Sequence, residues 1–244
     1  NFKFFIMKKV LLGLGLVISG SLMAQKPASD ASQFSLEGLI NYNANDGMNW
    51  SAPSLRLRYF VNDNIAARVQ FGFGDGSPTP SKESYTLYEN GDGTGASGTV
   101  EINRGSWNSQ VGAEYHLTGN DKMSPYFFGG LLFGKGSYKE NWANASIDGN
   151  GDYAYDAAIK TAAITAGSGS FGWTLGAGLD YYVAENLYLG LEMGLQSSSV
   201  NYTDVTTDIT FADNTTAKFK DGPSKLSYTS LGAAHGSIRI GWRF

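Results

Sequence analysis

Apolar and polar residues alternate in seven of eight strand-length stretches of this chain, and the connections between those stretches are alternately short and long. No run beyond the first residues approaches the roughly 20 apolar residues of a spanning helix. Yet 14% of the residues are aromatic and 32 are glycine, unlike an ordinary soluble domain. Together these predict an all-β fold, an eight-stranded antiparallel up-and-down transmembrane β-barrel. Side chains of a strand point alternately to opposite faces, so one face is wholly apolar and meets lipid while the other lines a lumen. The competing fold is a soluble barrel of lipocalin type, which would bury the aromatics and expose the arginines.

From the start of the chain, Met7 to Ala24 reads as a signal peptide: two lysines, an apolar run of roughly ten residues, then small residues. The six residues before Met7 read as upstream sequence. The expected organisation is therefore leader through residue 24, a short periplasmic segment 25–33, and a barrel over 34–244. Lys3, Lys8 and Lys9 leave with the leader, so 18 − 3 = 15 basic residues face 22 acidic ones. An acidic mature chain without a basic run argues against nucleic acid as a partner. There is no cysteine, hence no disulfide, thiolate chemistry or lipidated Cys.

The strands follow in order. The first sets Phe34, Leu36, Ile40 and Tyr42 against Ser35, Glu37 and Asn41. A tight connection, Asn45 to Gly47, leads to the second, with Leu55, Leu57 and Tyr59 against Arg56 and Arg58. The third sets Ile65, Ala67, Val69, Phe71 and Phe73 against Arg68 and Gln70. The fourth sets Trp107, Val111, Ala113, Tyr115 and Leu117 against Asn108, Gln110, Glu114 and His116. The fifth, about Pro125 to Ser137, is apolar on both parities, so its faces stay open. The sixth sets Phe171, Trp173, Leu175, Leu179 and Tyr181 against Thr174, Gly176, Gly178 and Asp180. The seventh sets Leu187, Leu189, Leu191, Met193 and Leu195 against Gly190, Glu192, Gly194 and Gln196. The eighth ends the chain, with Ile238, Ile240, Trp242 and Phe244 against Ser237, Arg239, Gly241 and Arg243.

Turns after the second, fourth and sixth strands are short; those after the third, fifth and seventh run to roughly 30 residues, far above hairpin length. Tight turns on one side and long loops on the other predict periplasmic turns, outside loops and both termini in the periplasm. Tyr85–Glu89 with Thr99–Asn103, and Ile209–Phe211 with Ala217–Phe219, read as strand extensions above the membrane. Each is about five residues, short of the 9–11 a span needs.

The leader, the eight strands, the loop alternation and the closing Gly241-Trp242-Arg243-Phe244 resemble the small bacterial outer-membrane barrels related to the OmpA transmembrane domain, OmpX and OmpW. The resemblance implies a monomeric barrel in the outer membrane of a Gram-negative bacterium. It implies contact with outer-membrane lipid and lipopolysaccharide, and a terminal strand (Ile240, Trp242, Phe244) read by the barrel assembly machinery. Unlike OmpA, no peptidoglycan-binding domain follows the barrel, so cell-wall anchoring is not carried over.

Candidate chemistry is sparse. His235 and Ser237 share a face, the spacing lipid A deacylases use to activate a serine, but that face is the lumen, so they read as filling; His116 reads likewise. Asp148, Asn150 and Asp152 have oxygen ligands at the first, third and fifth places of a calcium loop, without the later glycine and glutamate, and read as a solvated loop tip. No enzyme, cofactor or metal is expected. Aromatic girdles are expected at Tyr59, Tyr115 and Tyr181 with Trp242 and Phe244 on one side, and at Tyr42, Phe71, Trp107 and Trp173 on the other. Inside, Glu37, Arg56, Arg58, Arg68, Glu114, Asp180, Glu192, Arg239 and Arg243 form an ion-pair cluster. Heights counted along neighbouring strands pair Arg68 with Glu114 and Arg239 with Glu192, and place Glu37 between Arg58 and Arg239. The function this predicts is a structural or interaction barrel with a closed lumen and partner-contacting outside loops. A narrow channel for small or hydrophobic solutes is the alternative, and a lipid A-modifying enzyme the third reading.

Overall fold

The computed structural model describes residues 33–43, 47–73, 82–90, 93–222 and 228–244. The predicted leader, residues 25–32 and the Asn45–Asp46 connection lie outside the described residues. In chain order the strands are β1 (Phe34–Asn43), β2 (Gly47–Phe60), β3 (Ile65–Phe73), β4 (Lys82–Tyr88), β5 (Ser97–His116), β6 (Met123–Ala143) and β7 (Ala145–Ile147). They continue with β8 (Tyr153–Tyr155), β9 (Ile159–Tyr182), β10 (Leu187–Tyr202), β11 (Val205–Phe211), β12 (Thr216–Asp221) and β13 (Tyr228–Arg243).

Eight of them close a ring, in the order β10, β13, β1, β2, β3, β5, β6, β9 and back to β10. Every pairing is antiparallel. Closure is made where the first and last strands meet, from Ser35↔Arg243 to Tyr42↔Gly236. Phe34 and Phe244 exchange two backbone hydrogen bonds of 2.9 and 2.8 Å. A closed ring leaves no unpaired edge, which a lipid environment requires.

Two of the three short turns share one device. Asn62 Oδ1 accepts the amides of Asn64 and Ile65, both at 2.9 Å, and Asn120 Oδ1 accepts those of Lys122 and Met123 at 2.9 and 2.8 Å. An Asn side chain that mimics a turn carbonyl explains why so few residues reverse the chain there.

At the long-loop end the strands outrun the sequence reading. β5 begins at Ser97 rather than Trp107, β6 continues to Ala143, and β9 begins at Ile159 rather than Phe171. The Thr99–Asn103 extension is thus the same strand as Trp107. β4 adds to its edge from Lys82↔Asn103 to Tyr88↔Ser97, and β11 and β12 add beyond β9. Upper β5 still alternates, with Val100 and Ile102 buried and Thr99 and Glu101 exposed, but Asn103 to Ser106 and Gly167 to Ser170 carry no apolar side chain and read as loop, which hides the continuity of β5 and β9. A small hairpin, β7–β8, is the element no alternation announced. It packs on a core of its own: Val100, Ile102 and Ala145 are buried, with Leu87, Tyr138, Trp142 and Tyr153 against them.

Within the ring the molecule is inside out. The largest fully buried side chains include Arg56, Arg58, Arg68, Arg239 and Arg243, while Leu55, Leu57, Val111, Leu131, Leu175, Leu191 and Ile240 are exposed. The faces of β6, open in the sequence, are settled: Tyr126 and Phe128 point in, Phe127, Leu131 and Phe133 point out.

Candidate functional site

Parity along β1, β2, β3, β5, β9, β10 and β13 sends four carboxylates and four guanidiniums into one layer of the lumen. Glu37 receives Arg239 at 2.7 Å, Arg58 at 2.9 Å and Arg56 at 3.3 Å. Glu192 receives Arg56 at 2.7 Å and Arg68 at 2.8 Å. Glu114 receives Arg58 at 2.9 Å and Arg68 at 3.2 Å. Asp180 receives Arg58 at 2.8 Å and Arg239 at 2.7 Å. Each carboxylate therefore takes at least two arginines, and the planar fork of arginine suits it to this sharing.

The geometry corrects one feature of the sequence reading. Arg68–Glu114 and the bracketing of Glu37 by Arg58 and Arg239 lie where strand neighbours put them. Arg239 binds Glu37 as expected, but its second close partner is Asp180, two strands away, while Glu192 is met only by its Nε at 4.0 Å. Two further bridges lie across the lumen. Arg58–Asp180 joins β2 to β9, and Arg68–Glu192 joins β3 to β10, in each case four places round a ring of eight and so diametrically opposite. Eight strands make a barrel narrow enough for side chains to fill it, and arginine is long enough to meet the far wall.

Aromatic residues complete the layer. Tyr126 donates to Glu192 at 2.6 Å and Tyr188 to Glu37 at 2.6 Å, while Arg239 donates to the Tyr126 oxygen. The Arg68 guanidinium lies 4.3 Å over Phe128. Arg243 sits 3.8 Å over Phe60 and donates to Tyr182 at 3.4 Å, so it meets ring faces and a phenol nearer the short-turn end, a cation–π placement. Glycines opposite make this room: a Cβ at Gly178 would lie 2.3 Å from the Tyr126 ring, and one at Gly241 2.1 Å from that of Tyr188. The sequence reading missed these inward rings. Parity alone marks Phe60, Tyr182 and Tyr188, which share the faces of Arg58, Asp180 and Glu192; Tyr126 and Phe128 were hidden by the doubly apolar β6.

Two other candidate groups resolve differently. Ser237 is buried in the lumen, and the His235 side chain lies outside the described residues. A different relay appears instead: His116 Nδ1 lies 2.8 Å from Ser124 Oγ and His116 Nε2 3.1 Å from Glu114. All three are about 1–2% exposed, and the carboxylate is already shared by Arg58 and Arg68. So enclosed, the trio caps the network with hydrogen bonds. The Asp148 carboxylate accepts the amides of Asn150 and Asp152 at 2.8 and 3.0 Å. Those bonds hold its titration below the ordinary aspartate range. Among the described residues no three acidic or histidine side chains converge as metal ligands.

On the outside, aromatic rings mark both rims. At the short-turn end Phe34 packs on Tyr59 at 5.1 Å and on Phe244 at 6.3 Å, with Tyr115 and Trp242 exposed and Tyr181 half-buried beside them. At the other rim Phe133 meets Phe171 edge-on at 5.5 Å, with Phe71, Phe73, Trp107 and Trp173 exposed. The Tyr42 side chain lies outside the described residues.

An apolar band between aromatic rims, wrapped round an ionic interior in a closed antiparallel ring, defines a membrane-spanning β-barrel. The chain belongs to the family described as outer membrane protein beta-barrel domain, which matches residues 12–222. Among solved structures it is similar to the N-terminal β-barrel domain of Pseudomonas aeruginosa OprF, with 14% identity, 87% of this chain and 98% of that one covered, and a TM-score of 0.38. It is similar also to a major outer membrane protein from Thermus thermophilus, with 13% identity, coverage of 88% and 100%, and a TM-score of 0.42. Acinetobacter baumannii CarO is a third, with 12% identity, coverage of 86% and 97%, and a TM-score of 0.38. No curated protein matches the chain.

Proposed function

We propose that this outer-membrane barrel is a closed structural and interaction protein whose lumen does not conduct and whose activity lies in the sheet carried at its long-loop end. The observation behind this is the pair of diametric ion bridges, Arg58–Asp180 and Arg68–Glu192, within a layer where every carboxylate is held by two or more arginines. Opening a path would part charges buried in a narrow interior, each costing about 3–5 kcal/mol to strand. Above the layer, β4, upper β5 and β6, β11 and β12 present a wall with its own packed core, the kind of surface that a partner outside the cell would meet.

In this reading the leader Met7–Ala24 is removed and the assembly machinery inserts the chain as a monomer through its last strand, by way of Ile240, Trp242 and Phe244. The short turns and both termini face the periplasm. Because the chain has no cysteine, single Cys labels at Asn150 and Asp121 read the orientation in whole cells. Labelling of Asn150→Cys alone by an impermeant maleimide is expected; the reverse pattern would invert the topology. An enzymatic role is set aside because the Ser124–His116–Glu114 trio is sealed.

A narrow channel is the second reading, favoured by the small inward residues above the ion layer, where Gly134↔Ser170 and Gly136↔Ser168 face one another. Planar-bilayer recording of the wild-type protein decides between them. A closed baseline is expected, and a steady nanosiemens-scale channel would overturn the closed reading.

A further inference from the structure

Among the described residues five carboxylates are buried, and four of them, Glu37, Glu114, Asp180 and Glu192, are held by arginines in the lumen. The fifth, Glu140 of β6, is 4% exposed and makes no ion pair. It stands above the ring on the parity of Tyr126 and Phe128, in pairings without a register shift, so it faces the barrel axis rather than the lipid side. Neutral donors hold it: the Tyr138 hydroxyl donates to Oε2, and the Trp142 indole to Oε1 at 2.7 Å. Arg104, opposite Tyr138 on β5, donates instead to Glu83 at 2.7 Å.

Aromatic rings gather round this carboxylate. Tyr153 of β8 packs on Trp142 at 6.1 Å, nearly edge-on, and on Tyr85 of β4 at 5.9 Å. Tyr85 is exposed, and Tyr138, Trp142 and Tyr153 are half-buried, so the cluster is open to solvent. A phenol or indole is electron-rich on its faces and positive at its edge. Tyr138 and Trp142 give their edges to Glu140, which leaves their faces to attract a cation. Arg104 shows the preference, its guanidinium lying 5.7 Å over the Tyr138 ring. Burial and the hydrogen bond to Glu140 push the Tyr138 phenol up to about 12, and burial and the same carboxylate raise Tyr153. The negative charge is thus felt by rings of both β6 and β8.

We propose that Glu140, with the rings of Tyr85, Tyr138, Trp142 and Tyr153, binds a soluble quaternary ammonium compound. A buried carboxylate without a counter-ion is costly, and a cation held beside it lowers that cost. Two of its roughly four lone-pair sites are already taken, which suits a ligand that needs charge and ring faces rather than acceptors. A quaternary nitrogen has no N–H to satisfy, and aromatic faces attract it. The ligand arrives from the medium outside the cell, because the cluster faces the axis and not the bilayer. This gives a ligand class to the sheet at the long-loop end, and it rests on the reading that this sheet carries the activity.

The test titrates choline, and its uncharged isostere with carbon in place of nitrogen, into the full chain folded in a glucoside detergent, which carries no ammonium group. Wild type should bind choline about tenfold more tightly than the isostere. Glu140→Gln keeps an acceptor for the ring donors but removes the charge, and should abolish that preference. Tyr85→Leu, at an exposed ring, should weaken choline binding about threefold. Glu101→Gln makes the same charge change on the other face of the sheet, where Glu101 is exposed opposite Asn141, and should leave binding as in wild type. Heat-modified gel migration establishes that the variants are folded. Equal affinity for the two probes, a preference that survives Glu140→Gln, or an equal loss in Glu101→Gln would overturn the site. Displacement of choline by long-chain phosphatidylcholine mixed into the micelles would overturn it too, by making it a lipid headgroup site. A conducting wild-type barrel would defeat the closed-lumen reading and leave this result untouched.

Discussion

Arg68 of β3 and Glu192 of β10 meet at 2.8 Å although their strands stand on opposite sides of the ring. Glu192 also holds Arg56 and the Tyr126 hydroxyl, so removing it leaves two guanidiniums and a phenol without their shared acceptor. Glu192→Ala should lower the stability of the refolded barrel by about 3–5 kcal/mol in a denaturant titration from vesicles, and should raise ion leak in planar bilayers. A variant as stable and as tight as wild type would mean that the bridge neither holds nor seals the lumen.

Gly178 gives Tyr126 its place. With a Cβ 2.3 Å from the ring, Gly178→Val should cost about 1–3 kcal/mol through forced displacement of the phenol. In a Tyr126→Ala background the same change should cost much less, because the clash is gone. Additive losses in the double variant would place the strain elsewhere.

Leu191 faces outward at mid-strand and is 57% exposed. Leu191→Arg should destabilise the barrel by about 2–4 kcal/mol in lipid vesicles, as arginine does near a bilayer midplane. An effect within error would move this part of β10 out of the hydrocarbon.

The core above the barrel joins β7–β8 to the upper parts of β4, β5 and β6. Val100 is fully buried there against Ala145 and Trp142. Val100→Asp should expose the 145–155 hairpin to protease in reconstituted vesicles, while the ring keeps its heat-modified gel shift. Protection equal to wild type would show that β7–β8 does not depend on this packing.

Asp148 sets a pH response in the same hairpin. Its carboxylate is stabilised by the amides it accepts, so its folded-state titration lies below the ordinary aspartate value of about 3.9. The contribution is therefore complete above that value and is lost as pH falls through the lower folded value. Exchange protection of the Asn150 and Asp152 amides should hold through mild acid and fail only below the ordinary range. Loss near pH 6 would contradict the geometry.

Legibility differed sharply between the two faces of the wall. The eight strands, their outward residues and the identities of the buried charges were readable, because a lipid-facing strand must alternate and any polar group on its lipid side is costly. Phe60, Tyr182 and Tyr188 were readable in principle by the same parity. On β6, where both parities are apolar, alternation carries no information and the inward Tyr126 and Phe128 had to wait for the structure. The continuity of β5 and β9 above the rim was hidden for a different reason: Asn103 to Ser106 and Gly167 to Ser170 are polar or small throughout and interrupt the apolar parity.

On seven of the eight ring strands the sequence by itself determined which residues face lipid and which face the lumen, since a two-residue repeat is a local property of the chain. Only the tertiary structure decided who meets whom across the lumen: that Arg58 reaches Asp180, that Arg68 reaches Glu192, and that Arg239 reaches Asp180. Those contacts depend on closure, stagger and diameter, which belong to all eight strands together.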